Sequence, residues 1–512
     1  MRVGSATSER ELWRRQVFLS AAAVSLVAAG VFMIVRTGIV DDAYITLTYA
    51  RNLAFHLHWG LTPARTANTA TSPLNVLVQG LLTAVLRRPV LALGVLFVLS
   101  NVAVAYALLR VTWTLRLPAW SALLGCALVL FNPLLDSAVG LEVALSAAVM
   151  ALLLMAAVEA RPGLFGLFAG LLAYTRVDLV IFALVLFLGY RVLLRAWWKI
   201  LLAAGAVGLP WFAWSWIVLG SAVPDTLLIK ATQGANQPPY AFATGPLGMY
   251  RSFPAMTVLA FVPALLGIVA LSAWAVVWVR SRFRADQVNE FTPVVLLGLG
   301  GMLHYLVYSI LNAPLFHWYY SWSIISLTYL FTLSAGTLVA RRDVVGGAPH
   351  HAAPAAVSMV TALIAVGQVG YNVQHGIPWT QAAYNGNAAT PTEYAAVGRG
   401  IRSLIGGHPV RSPGEVGTIA YFCDCEVLDE LSDRGIVVSL LNQQKQHDGP
   451  TSRFVLDVNF YFLDKNLKST PVDYTILYSK QKPENGRYWP VTGPSWVGNG
   501  YDVLVPRPGT VG

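Results

Sequence analysis

Repeated apolar runs of about twenty residues limit this chain more than any other feature of its sequence. About twenty residues is the length that crosses the ~30 Å hydrocarbon core of a bilayer as a helix, and only the run at 163–175 is markedly shorter. Candidate spans fall near 17–37, 89–109, 117–134, 139–158, 163–175, 178–195, 199–219, 253–279, 292–313, 318–340 and 354–372. That predicts a mostly α, polytopic transmembrane bundle of about eleven spans. The composition agrees, with 56% hydrophobic and 12% charged residues and a mean hydropathy of +0.58, well outside the soluble range. "PLNVLVQGLLTAVL", Pro73 to Leu86, is too short to assign and reads as a short span or a re-entrant segment.

Charge sets the expected orientation. With Pro73–Leu86 left out and the N-terminus inside, the inner loops hold fifteen basic residues: Arg2, Arg10, Arg14, Arg15, Arg110, Arg116, Arg161, Arg191, Arg195, Lys199, Arg280, Arg282, Arg284, Arg341 and Arg342. The longer outer loops hold eight, Arg36, Arg51, Arg65, Arg87, Arg88, Arg176, Lys230 and Arg251. The positive-inside rule therefore predicts a plasma-membrane protein with a cytoplasmic N-terminus. The net charge of +10 belongs to these loops, and no nucleic-acid partner is needed to explain it. The first apolar run follows a basic tail, is long and lacks a small-residue cleavage site, so it reads as a retained anchor.

After Tyr371 the long apolar runs end, and residues 372–512 carry twelve basic and thirteen acidic residues. This predicts a transmembrane domain over 1–372 and a small extracytoplasmic α/β domain over 373–512. Within the latter, "TEYAAVGRGIRSLI" reads as an amphipathic helix, and "GTIAYFCDCEVLDEL" and "RGIVVSLL" read as short buried strands. Cys423 and Cys425, one residue apart, are read either as a disulfide or as metal ligands; no second Cys or His pair at metal spacing lies near.

In this topology the unusual polar residues gather outside. Asp41, Asp42, Asp136, Glu142, Asp178 and Asp225 stand at outer helix ends, where a charge near hydrocarbon is costly unless solvated or paired. A shared outward-facing site would account for them. The stretch "DDAYITLTYARNLAF" opens the first outer loop, 38–72, and a second long outer loop covers 220–252. Ala43, Leu47, Ala50 and Ala54 recur at helical spacing and predict a helix along the membrane interface, with Asp41 or Asp42 at its N-cap. Two carboxylates exceed what a cap needs, and the second is available as a general base or a hydrogen-bond acceptor.

The order of "DDAYITLTYARNLA", "ANTATSP" (Ala67 to Pro73), "GLE", "TRVD", "PDTLLIK" and "HWYY" resembles the GT-C class of membrane glycosyltransferases, and more narrowly the actinobacterial arabinofuranosyltransferase B group. The resemblance covers most of the chain. It implies an inverting transferase that passes a sugar, arabinofuranose in that group, from a polyprenyl-phosphate donor to a cell-envelope polysaccharide or glycolipid on the outer face. A mannosyltransferase or another pentose or hexose transferase of the class is the alternative. A different class, a lipid-linked sugar transporter or an assembly scaffold, also stays open, although no internal repeat of the transporter kind is present.

Under the transferase reading Asp41 is the first choice for the base and Asp42 the second. Lys230, Arg176 and Arg251 are candidates for the donor phosphate, and Glu142 and Asp178 for holding those cations or the acceptor. His317 and Tyr319 in "PLFHWYY" are candidates for phosphate or sugar. The competing readings are cations that snorkel to lipid headgroups, a structural ion pair and an interfacial aromatic belt. No metal site is assigned; a divalent cation is possible but not required. Membrane lipid is the remaining expected partner.

Overall fold

The computed structural model describes residues 3–232, 241–280, 286–340, 352–412, 414–494 and 497–507. Arg2, Arg282, Arg284, Arg341 and Arg342, the side chain of Arg10, and residues 233–240 of the expected outer loop 220–252 lie outside the described residues. Among the described residues five helices are long and apolar enough to cross a membrane: Glu11–Val35, Pro89–Thr114, Trp197–Leu219, Pro254–Arg280 and Glu290–Ile310. Shorter apolar helices fill the bundle between them: Pro73–Leu86, Ala119–Leu130, Val143–Val158, Pro162–Thr175 and Val177–Gly189. The helices Ser321–Ala340 and Ala352–Gln374 complete it.

Some expected spans are not single helices. Residues 178–195 divide into a 3-10 turn at Val177–Leu179 and helices Val180–Gly189 and Arg191–Leu194. The break falls where Gly189, a weak helix former, meets Tyr190 in extended backbone. Small residues set one of the tight helix crossings. In Pro162–Thr175, Gly166 and Gly170 lie against Trp197–Trp214 so closely that a Cβ would come within 2.4 Å of the Ile200 carbonyl oxygen or 2.6 Å of that of Ala204. This is the small-xxx-small device of membrane helix pairs.

The C-terminal domain, the outer domain of the expected topology, is α/β, as expected. Its five-stranded sheet has the order β2-β1-β3-β5-β4, formed by β1 (Val410–Arg411), β2 (Val427–Leu428), β3 (Tyr474–Ser479), β4 (Arg487–Thr492) and β5 (Asn499–Pro506). β1 pairs in parallel with β2 and β3, whereas β5 runs antiparallel to both β3 and β4. The helix Pro391–Leu404 forms where amphipathic spacing predicts it. A capping box starts it: the Glu393 N–H donates to Thr390 Oγ1, and the Thr390 N–H to Glu393 Oε2.

Two expected strands are helices. "GTIAYFC" is the helix Gly417–Cys423, followed only by the short β2, and "RGIVVSLL" opens the helix Arg434–His447. The second has a local cause, since Asp433 caps it by accepting the Gly435 N–H at 2.9 Å. That cap outweighs the β-branched run Ile436–Val438. Cys423 and Cys425 form a disulfide.

The helix Asp41–His56 is buried rather than laid along a free interface. It packs between Pro73–Leu86 and Gly417–Cys423. Its N-cap is Val40, with no side-chain cap, so both aspartates sit inside the first turn. Tyr49, Trp59, Leu61 and Val76 from this part of the chain share one apolar cluster with Val397, Ile401, Ile419, Val427 and Ile476 of the outer domain.

Candidate active site

The Asp pair stands where the helix Asp41–His56 meets the outer domain. Asp41 is 4% exposed. Its Oδ2 accepts the Gly417 N–H at 2.9 Å and its Oδ1 the Thr418 N–H at 2.7 Å, so its carboxylate caps the helix Gly417–Cys423. Burial pushes its carboxyl up to about 7, opposed by the Thr418 N–H. Gly417 permits this approach, because a Cβ there would fall 2.1 Å from the Asp41 carbonyl oxygen. Asp42 instead faces a cleft. Burial raises its carboxyl as well, and the charge of Lys230 opposes that shift.

The cleft is small, with a cavity volume of about 50 Å³. Asp42, Ile45 and Thr46 form one wall; Thr69 to Ser72, within "ANTATSP", form the next. Glu142, Arg176, Lys230 and Trp318 close the far side, and Leu431 comes from the outer domain. The Ser72 hydroxyl is buried there without a partner among the described residues. Asn68 pins the loop behind it, donating to the Ser221 carbonyl at 2.9 Å and accepting the Asp225 N–H at 2.7 Å.

The two cations are held differently. Arg176 is buried, and its guanidinium donates to Glu142 Oε1 at 2.8 Å and to Asp178 Oδ1 at 3.0 Å. It also stacks over the rings of Tyr319 and Trp322, 5.2 and 4.6 Å from their centroids. Behind it Tyr308 donates to Asp178, and His304 Nε2 lies 3.8 Å from the same carboxylate. Lys230 has no carboxylate pair among the described residues. Its Nζ donates to Tyr319 Oη at 2.8 Å and sits 4.3 Å from the Phe316 ring centroid. Arg176 is neutralised by its two carboxylates, so the ammonium of Lys230, held only by a phenol and π-faces, is the cation left to meet an anion.

Not every expected residue arrives here. Asp42, Glu142, Arg176 and Lys230 line the cleft, and Tyr319 and Asp178 hold the cations. Arg251 is exposed at the end of the helix Gly245–Ser252. His317 is buried against Trp318 and Tyr384, outside the lining. Nor do the six outer acids share one site. Asp136 accepts from Asn372 at 2.8 Å, and Asp225 pairs with Arg434 of the outer domain at 3.2 Å. Among the described residues no group of three or more His, Cys, Asp or Glu is arranged to hold a metal ion.

No protein-family model matches the chain, and no curated protein matches it by sequence. Solved structures do match. ArnT from Cupriavidus metallidurans in the apo state superposes with a TM-score of 0.55 at 12% identity, over 97% of this chain and 98% of ArnT. The same protein bound to undecaprenyl phosphate gives 0.53 at 13% identity, over 97% and 99%. The mycobacterial arabinofuranosyltransferase AftD gives 0.51 at 12% identity, covering 96% of this chain and 39% of AftD. The fold is that of the GT-C membrane glycosyltransferases.

Within this GT-C fold the sequence reading missed the supporting residues. Tyr308 and His304 lie in "HYLVY", an apolar stretch that reads as plain span, and only the contact with Asp178 gives them meaning. Thr69, Thr71 and Ser72 were visible as part of "ANTATSP" but carry no charge to mark them.

Proposed function

We propose that this protein is a glycosyltransferase that moves a sugar from a polyprenyl-phosphate donor to a hydroxyl of a cell-envelope glycan on the extracytoplasmic face of the membrane. The observation that carries this reading is the cleft itself: Asp42, a carboxylate with no hydrogen-bond donor on its side chain among the described residues, shares a cavity with Lys230 and Arg176 at the rim of an apolar bundle. A lipid-tailed donor reaches such a rim through the bilayer, and a polar acceptor reaches it from water. The likeness to ArnT bound to undecaprenyl phosphate supports the donor class. The likeness to AftD, together with the "DDAYITLTYARNLA" and "ANTATSP" motifs, supports arabinofuranose as the sugar.

In the proposed step the acceptor hydroxyl gives its proton to Asp42 as its oxygen attacks the anomeric carbon. The bond from that carbon to the phosphate oxygen breaks, and polyprenyl phosphate leaves with the bonding pair. The anomeric centre inverts, so one base suffices. Lys230 meets the negative charge that grows on the leaving phosphate. Asp41, the first choice from sequence for the base, is given a positioning role: both of its oxygens are held by backbone N–H groups of the outer domain. No step requires a metal ion.

The test is transfer by purified Asp42→Asn in lipid vesicles. The expected loss in kcat is ~10² to 10⁴, with the variant still folded. Transfer at the unmodified rate would remove Asp42 from the chemistry.

A further inference from the structure

The helix Pro450–Asn459 of the outer domain has two apolar faces, and only one of them is partly buried. Leu456, with Phe460 just beyond the helix, joins the cluster of Leu228, Val437, Leu441 and Leu463. On the opposite face Phe454, Val455 and Val458 are 69, 58 and 45% exposed, and Tyr461 and Phe462 continue the patch at 66 and 47%. At about 100° per residue the three helical positions fall within one ~100° arc, as on an interfacial amphipathic helix. A contiguous apolar patch of this kind marks a contact surface.

Its neighbour identifies the occupant. Trp216, in the last turn of Trp197–Leu219, donates its indole N–H to the Val458 carbonyl at 2.8 Å and stacks edge-on against Phe462 at 5.2 Å. Beside it Trp214, Ile217 and Val218 are 40, 61 and 60% exposed, as expected of a spanning helix facing lipid. The free face of Pro450–Asn459 is therefore continuous with the lipid-facing end of a span.

We propose that Phe454, Val455, Val458, Tyr461 and Phe462 seat in the bilayer leaflet on the outer-domain side, giving that domain a membrane contact besides its tether. The occupant is lipid, with acyl chains against the aliphatic and phenyl groups and the Tyr461 ring at headgroup depth. The seat also bears on the cleft. Asn459 Oδ1 accepts the Val223 N–H at 2.8 Å, three residues before Thr226 and seven before Lys230, both in the cleft wall. This inference does not depend on the transfer reaction.

The experiment places single spin labels at positions 454, 455, 458 and 461, with 453 and 457 as controls, in the full chain carrying Cys126→Ala. The protein is reconstituted in vesicles of phosphatidylcholine and phosphatidylglycerol. Relaxation by dissolved oxygen is compared with relaxation by a water-soluble nickel chelate. The expected result is that the first four labels respond several-fold more to oxygen, and the two controls more to nickel. Nickel access at all six positions overturns the proposal. So does protection of the patch from both agents, which would mean a protein partner or a second copy covers it. A second variant, Phe454→Asp with Val458→Asp, alters only exposed side chains; the label at 461 should then turn to nickel, and an unchanged response also overturns the proposal.

Discussion

At the residue scale, Asp41 and Asp42 occupy the same helical turn but point about 100° apart. One binds the backbone of the outer domain, and the other meets the cleft. Asp41→Ala should therefore behave as a lost N-cap, costing about 1 to 2 kcal/mol of stability, with thermal unfolding as the readout. Their pH dependences run in opposite directions. Burial lifts Asp41, Asp429 and Asp502 from the usual aspartate value of 3.8 to about 7. A folded value above the unfolded one gives stability that is complete below about 3.8 and lost as pH rises through about 7. The unfolding midpoint should thus fall between mildly acidic and mildly alkaline buffer. Asp42 is also raised but must be ionised to act as a base, so transfer should increase with pH through a value above the ordinary carboxylate range. A rate profile with no acidic limb there would contradict that role. The sequence exposed this pair as excess charge, yet which oxygen faced which partner depended on residues about 375 positions away.

At the scale of elements, the first outer helix and the helix Gly417–Cys423 meet nearly backbone to backbone. Gly417→Ala would drive a Cβ into the Asp41 carbonyl oxygen. It should loosen the outer domain, seen as faster amide exchange in both 41–56 and 417–423 with the rest of the bundle unchanged. Glu142 and Arg176 form a buried pair at 2.8 Å, and Glu142→Ala leaves that cation partly unpaired. The expected cost is about 3 kcal/mol, and Glu142→Gln should recover part of it. Local signals gave the capping-box helix Pro391–Leu404 correctly, and Asp433 was a local signal passed over in favour of the β-branched run beside it. The helix Gly417–Cys423 had no such local signal, since its cap comes from Asp41. The close approach of Gly166 and Gly170 to Trp197–Trp214 shows only in the folded structure, because neither segment's pattern names its partner.

Across the whole molecule, hydropathy was enough to predict a helical membrane bundle with a small C-terminal α/β domain, because lipid leaves the backbone few alternatives. It could not show that the two parts share a core, in which Tyr49 and Trp59 pack with Val397 and Ile419. Contacts between such distant residues leave no periodicity in either segment. That shared core places Leu431 on the cleft and ties Asp225 to Arg434, so the outer domain forms part of the site wall. The central claim is that this wall, Asp42 and Lys230 together transfer a lipid-linked sugar. The most direct measurement incubates the full chain in vesicles with polyprenyl-phosphate arabinofuranose, with and without an envelope-glycan fragment, and follows donor and product by mass. Donor should be consumed only when acceptor is present, releasing one polyprenyl phosphate for each sugar added. Donor that remains intact with acceptor present, or that only moves between leaflets, would contradict the claim.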